Sequence, residues 1–190
     1  EAGAKITEAC KLDIINWKKL EKRTSIVGYP ILPLVEQLSS AVKNGYGQYC
    51  HWGATTQDIM DTADVLQIRK GLELLFSDLN GIADALVKII RDHLTTPMAG
   101  RTHLQHALPV SFGYKASTWL SGIDRHIKRL EQIKSRVFHL SFFGAAGTLA
   151  SLGEENGLKI QNALAKELDL NVPDVSWHSI RDNFCEITGW

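Results

Sequence analysis

Three short polar segments of this 190-residue chain carry the side chains best suited to chemistry. The densest is Gly100-Arg101-Thr102-His103-Leu104-Gln105. Arg101 is a bidentate fork for a carboxylate or phosphate, or one half of an internal salt bridge. His103, with an ordinary pKa of about 6.5, suits proton transfer at neutral pH, and equally suits a structural hydrogen bond. Thr102 and Gln105 add neutral hydrogen-bonding groups beside it. The second segment is His51-Trp52-Gly53-Ala54-Thr55-Thr56-Gln57-Asp58. There Thr55 and Asp58 have the spacing of a helix cap, and the same free N–H groups and hydroxyls of Thr55, Thr56 and Gln57 would receive an anion. His51 adds a proton or a positive charge next to them. The third segment is Trp177-His178-Ser179-Ile180-Arg181. His178 and Arg181 lie one turn apart if the segment is helical, either as a second anion contact or as a solvated helix start. His103 and His106 are three apart, but no third ligand follows at a persuasive spacing, so no metal site is expected.

Two long helices must position the central segment. Ile68, Leu72, Leu75, Leu79, Ile82, Leu86 and Ile89 recur at helical steps upstream. Phe112, Ala116, Trp119, Ile123, Ile127, Leu130, Ile133 and Val137 do so downstream. Each series makes one apolar stripe on a helix. Pro97 stops the first, which runs from Thr55 to about Leu94, and Pro109 suits the first turn of the second, about 110 to 140. Residues 97–109 then form the connection between two rods. Before them the pattern gives a helix over 2–22, a break at Gly28-Tyr29-Pro30, a helix from Pro33 to about Val42 and a turn at 43–47. After them come the glycine-rich Phe143-Gly144-Ala145-Ala146-Gly147, a helix at about 154–168, a turn at 171–174 and a fresh helical start near Ser176. No segment reads as a strand. The expected fold class is all-α, a bundle of long helices.

Composition bounds the class of partner. The chain is 44% hydrophobic and 22% charged, with 21 basic and 21 acidic residues. Zero net charge argues against a general nucleic-acid or anionic-membrane surface, and no apolar run reaches the roughly 20 residues of a membrane span. Cys10, Cys50 and Cys185 are odd in number and far apart, so no disulfide framework is expected. With an amphipathic opening instead of a signal peptide, the expected location is cytoplasmic. The pattern begins inside a helix without a cap and ends just after another begins, which reads as a portion of a longer chain.

Taken together these blocks resemble the fumarase/aspartase superfamily, over essentially the whole chain. Gly28-Tyr29-Pro30-Ile31-Leu32-Pro33, His51 through Thr62, Gly144 through Gly153, and Trp177-His178 before Arg181-Asp182 look most like its 3-carboxy-cis,cis-muconate cycloisomerase branch. Gly100 to Gln105, with Ala107 and Pro109, is shared across the superfamily. The resemblance implies a central long-helix bundle, incomplete in these residues, with 1–54 part of an N-terminal helical domain and 55–190 part of the bundle domain. It implies a homotetramer whose active sites draw on three subunits, and a cofactor-free reaction on a small di- or tricarboxylate, most simply the lactonisation of carboxymuconate. His103 would transfer a proton, with His51 beside it. Thr55, Thr56, Gln57, Arg101, Thr102, Gln105, His178 and Arg181 would bind substrate. A mobile Ser-Ser-x-Met-Pro loop would supply the catalytic base from beyond Trp190, so these residues alone are expected to be inactive. Thr56 stands where the superfamily usually has serine, keeping the hydroxyl but adding a methyl. The histidine pair that adenylosuccinate lyases carry before this region is replaced by Gly28-Tyr29-Pro30, which counts against a purine nucleotide substrate. Within the same superfamily the alternatives are an adenylosuccinate- or argininosuccinate-type lyase, or a non-catalytic structural oligomer.

Overall fold

The computed structural model describes residues 1–153 and 155–190. Seven α-helices and one β-hairpin are seen among them. Helices α1 (Ala2–Ala9), α2 (Trp17–Val27) and α3 (Ile31–Ala41) precede the long α4 (Thr56–Asp92). Strands β1 (Pro97–Thr102) and β2 (Gln105–Ser111) follow, then α5 (Phe112–Val137), α6 (Gly157–Leu168) and α7 (Asp182–Gly189). The chain divides into two compact units, one of residues 1–65 with 139–181 and the other of residues 66–138 with 182–190. Helix α4 contributes to both, and its 37 residues span about 55 Å.

In the first unit the helix expected over 2–22 is broken. Helix α1 ends at Cys10, a single 3₁₀ turn covers Leu12–Ile14, and α2 starts afresh. The cause is Asn16, whose side chain accepts the N–H of Lys19 as an N-cap while its own N–H donates to Gln37 Oε1 at 2.7 Å. Gly28 closes α2 in the left-handed conformation, as its place in the sequence suggests. Helix α3 begins at Ile31, two residues earlier than Pro33, because a proline in the first turn lacks only an N–H that has no helical partner. Helix α6 starts at Gly157, and the start expected at Glu154 lies outside the described residues. The start expected near Ser176 is found at Asp182, so His178 and Arg181 lie on irregular, bent chain rather than on one helical face.

The second unit corrects the reading of 97–109. That connection is an antiparallel hairpin, with Pro97 facing Ser111 and Thr102 facing Gln105. The pattern hid it because Pro97 and Pro109 read as helix boundaries. Instead Pro97 opens β1, and Pro109 lies within β2 opposite Ala99, beside the bulge of a two-stranded sheet, where a missing N–H is tolerated. A bulge falls between Ala99 and Arg101. Gly100 sits in it, and a Cβ there would lie 2.5 Å from the carbonyl oxygen of Leu108, so only glycine lets the strands approach. Ser111, not Pro109, starts α5, its hydroxyl accepting the N–H of Tyr114 at 3.1 Å. The base of the hairpin is tied by Phe112 N–H to Thr96 O and Gly113 N–H to His93 O, both 2.9 Å.

The stripes on α4 and α5 meet in this unit's core. Leu72, Leu130, Ile133 and Val137 are buried there, with Ile68, Phe76, Leu79, Phe138, Ile187 and Trp190 against them. Trp190 also donates its indole N–H to the carbonyl of His126 at 3.1 Å. The stripes are only partly covered: Leu75, Ile82 and Trp119 remain about half exposed. Leu130 is fully enclosed, so Leu130→Ala is expected to lower stability by about 2–5 kcal/mol. Urea unfolding would check this, and a loss under about 1 kcal/mol would show that the site collapses around the smaller side chain.

Candidate functional site

Asp58 is the centre of the first unit. It lies in the first turn of α4, is 0% exposed, and receives donors from three places in the sequence. Thr55 N–H donates to Oδ2 at 3.0 Å, as the capping reading expects. The glycine-rich segment donates through Phe143 N–H to Oδ1 at 3.0 Å and Gly144 N–H to Oδ2 at 2.9 Å, with the Ser141 hydroxyl at 3.4 Å. His178 Nε2 lies 2.7 Å from Oδ1. Since the other partners of these oxygens are donors, the nitrogen facing Asp58 carries its hydrogen. The His178 ring also stands edge-on to Phe143.

One turn further along α4, Asp61 repeats the arrangement. It is buried and takes a two-pronged bond from Arg181, at 2.5 and 2.8 Å, and the amide of Gln57 at 2.6 Å. Asp61 has only acceptor oxygens to offer, so Gln57 must turn its NH₂ inward, which leaves its Oε1 without a bond to Asp61. Thr62 completes the row: its hydroxyl donates to Ser141 O at 2.8 Å and accepts Ser141 N–H at 3.1 Å. Trp177 donates to Leu140 O at 2.9 Å, and the Arg181 guanidinium lies over its ring. In the sequence Asp58 reads only as a helix cap, and Asp61 is not a candidate. The signal that would have found them is their three-residue spacing, matched by that of His178 and Arg181.

His51, Thr55, Thr56 and Gln57 surround the start of α4 and are partly exposed. His51 has a left-handed backbone, φ 62°. Burial pushes its pKa below the ordinary value, a trend the Asp58 carboxyl opposes. The structure thus brings His51, Thr55, Thr56, Gln57, His178 and Arg181 into one unit. In it His178 and Arg181 are engaged with internal acids.

Arg101, Thr102, His103 and Gln105 belong to the second unit, as an exposed group on the hairpin. His103 and Leu104 form its two-residue loop, with φ of 38° and 66°. Two successive positive φ values are those of a type I′ turn, which suits the twist of paired strands but favours glycine or asparagine. Histidine and leucine here carry backbone strain of about 1–3 kcal/mol each. Leu104 is 97% exposed. Beside the loop is a groove of about 550 Å³ lined mainly by Met98, Leu108, Val110 and Tyr114, with Arg101 and Lys115 as its cations. Among the described residues no group of three or more His, Cys, Asp or Glu side chains is placed to hold a metal ion. No helix among them is long and apolar enough to cross a membrane.

Residues 16–190 match the lyase family of the fumarase/aspartase superfamily, and the chain belongs to it. Its fold is that of the fumarate lyases: it superposes on the crystal structure of a fumarate lyase from Mesorhizobium sp. BNC1 with a TM-score of 0.95 and 56% identity, covering 99% of this chain and 44% of that one. The chain is 44% identical over 186 residues to trans-aconitate decarboxylase 1 of Mycosarcoma maydis, covering 98% of this chain and 38% of that protein. It is 42% identical over 188 residues to 3-carboxy-cis,cis-muconate cycloisomerase of Pseudomonas aeruginosa, covering 97% and 41%. It therefore spans about two-fifths of the length of these relatives.

Two outcomes follow from this geometry. Asp58→Ala would leave buried N–H groups at Phe143 and Gly144 unpaired and is expected to cost about 3–5 kcal/mol; amide exchange at those two positions should quicken in step, and unchanged protection would refute it. For His51 the folded-state pKa lies below the unfolded one. Its contribution to stability is then complete above about pH 6.5 and is lost as pH falls through the folded value. Melting temperatures between pH 8 and pH 5 should fall less steeply in His51→Gln than in wild type.

Proposed function

We propose that the whole protein to which this chain belongs is a cofactor-free lyase or cycloisomerase of an unsaturated polycarboxylate, with 3-carboxy-cis,cis-muconate as substrate and lactonisation as the reaction. The observation that supports this most is the partly exposed start of α4 in company with His51 and His178. Free N–H groups at a helix start, with hydroxyls and imidazoles beside them, suit a carboxylate. The two relatives above carry the names of unsaturated tricarboxylates, aconitate and carboxymuconate.

Addition or loss of a group across a carbon–carbon double bond passes through charge that builds on the neighbouring carboxylate. Donors aimed at that charge lower the barrier, each by on the order of 3 kcal/mol. In this reading the hydroxyls of Thr55 and Thr56 and the backbone N–H of Gln57 supply them, assisted by Arg101, Thr102 and Gln105. His103 moves the proton, with His51 as its companion, and His178 and Arg181 hold the distal end of the substrate. Subunits of a homotetramer bring the segments together in the cytoplasm, residues 1–54 in an N-terminal helical domain and 55–190 in the central bundle. Two features support assembly. The apolar stripes of α4 and α5 stay half exposed at Leu75, Ile82 and Trp119. The polar groups on the hairpin are also exposed.

Decarboxylation of a tricarboxylate is the second reading, favoured by the 44% identity to the decarboxylase. Turnover of the full-length protein with carboxymuconate, trans-aconitate, adenylosuccinate, argininosuccinate and fumarate separates the readings. Carboxymuconate is expected to react. Absence of turnover together with absence of thermal stabilisation by all five would leave a non-catalytic oligomer. In the active protein His103→Asn is expected to reduce turnover by roughly a hundred- to ten-thousand-fold. Near-normal turnover would remove His103 from the role.

A further inference from the structure

We infer that Asp58 is a positioning residue, which grips His178 by Nε2 so that the opposite ring nitrogen, Nδ1, is the atom that meets a substrate carboxylate. This rests on the polycarboxylate reading above and adds to it which atom binds and what aims it.

The argument begins with the grip. The bond from His178 Nε2 to Asp58 Oδ1 is 2.7 Å, and Asp58 is wholly buried. Asp58 is itself held by the N–H groups of Thr55, Phe143 and Gly144, so the ring is referred to three backbone positions rather than to one flexible side chain. The edge-on Phe143 ring, 5.5 Å between centroids, restricts rotation about the remaining torsion. A histidine whose only task was to satisfy Asp58 would need no exposure. Yet the His178 side chain keeps 17% of its surface accessible, and Nδ1 has no partner among the described residues.

The acid also matters to charge. With Nε2–H committed to Asp58, Nδ1 donates to a carboxylate only when the ring is protonated, and the buried acid then offsets the positive charge. His51, near enough to Asp58 to feel its charge, the Asp61–Arg181 pair and Asp64 beside that pair are ionisable groups of the same unit.

Glutamine and asparagine separate the two ring nitrogens. His178→Gln keeps an amide nitrogen that reaches Asp58 as Nε2 does and places nothing at Nδ1. His178→Asn keeps a group near Nδ1 and loses the bond to Asp58. In the full-length protein with carboxymuconate, His178→Gln is expected to melt within about 2 °C of wild type, to keep kcat within about threefold, and to raise KM by roughly ten- to a hundredfold, as loss of one charge-assisted bond predicts. His178→Asn is expected to raise KM by a similar factor. Wild-type KM in His178→Gln would make the residue structural and overturn the inference. Wild-type KM in His178→Asn would show that the grip of Asp58 is not needed, and overturn it equally. A wild-type protein that turns over none of the five acids defeats the functional reading and this inference with it, whereas normal wild-type turnover with unaltered variants defeats this inference alone.

Discussion

Asp58 and Asp61 stand one helical turn apart on α4, both buried, and across from them His178 and Arg181 stand at the same spacing. A buried acid is costly to desolvate unless it is fully paired, and these two are paired to residues 120 positions away. The requirement to satisfy them fixes most of the first unit. The glycine-rich segment must run close enough for Phe143 and Gly144 to donate, and Ser141 must meet Thr62. The chain before α7 is irregular, bent at His178 and Ser179, and carries both side chains to their acids.

This arrangement also explains why the start of α4 can serve a ligand. A helix cap alone would use Thr55 and Asp58 on each other and leave nothing over. Here Asp58 is turned inward to the glycine-rich segment and His178, yet still takes the Thr55 N–H. Thr56 and Gln57 therefore remain partly exposed on a rigid base. The histidine and arginine that the sequence offers as anion contacts are in the first place partners of internal acids. Any role toward a ligand falls to the atoms those acids leave over.

The second unit solves a different problem. Its hairpin carries Arg101, Thr102, His103 and Gln105 on a support stiffened by cross-strand pairing and closed by a strained two-residue turn. Strain of that kind survives only where the flanking strands over-determine it. The bulge at Gly100 turns the strand just before Arg101. The result is a rigid finger with its polar groups outward, next to long helices whose stripes are half covered.

The sequence by itself determined the helical class, the two long stripes, the breaks at Gly28 and Pro97, and the three polar segments. These rest on periodicity and on local backbone rules, which act within a few residues. It also determined membership of the superfamily, through motifs in a fixed order. It could not determine that 97–109 is a hairpin, since two short strands that each contain a proline carry no alternation strong enough to outweigh helix-boundary signals. Nor could it show that Asn16 splits the first helix by bonding to Lys19 and Gln37. Only the tertiary structure decided that Asp58 and Asp61 grip His178 and Arg181, because pairing across 120 residues leaves no local periodicity to read.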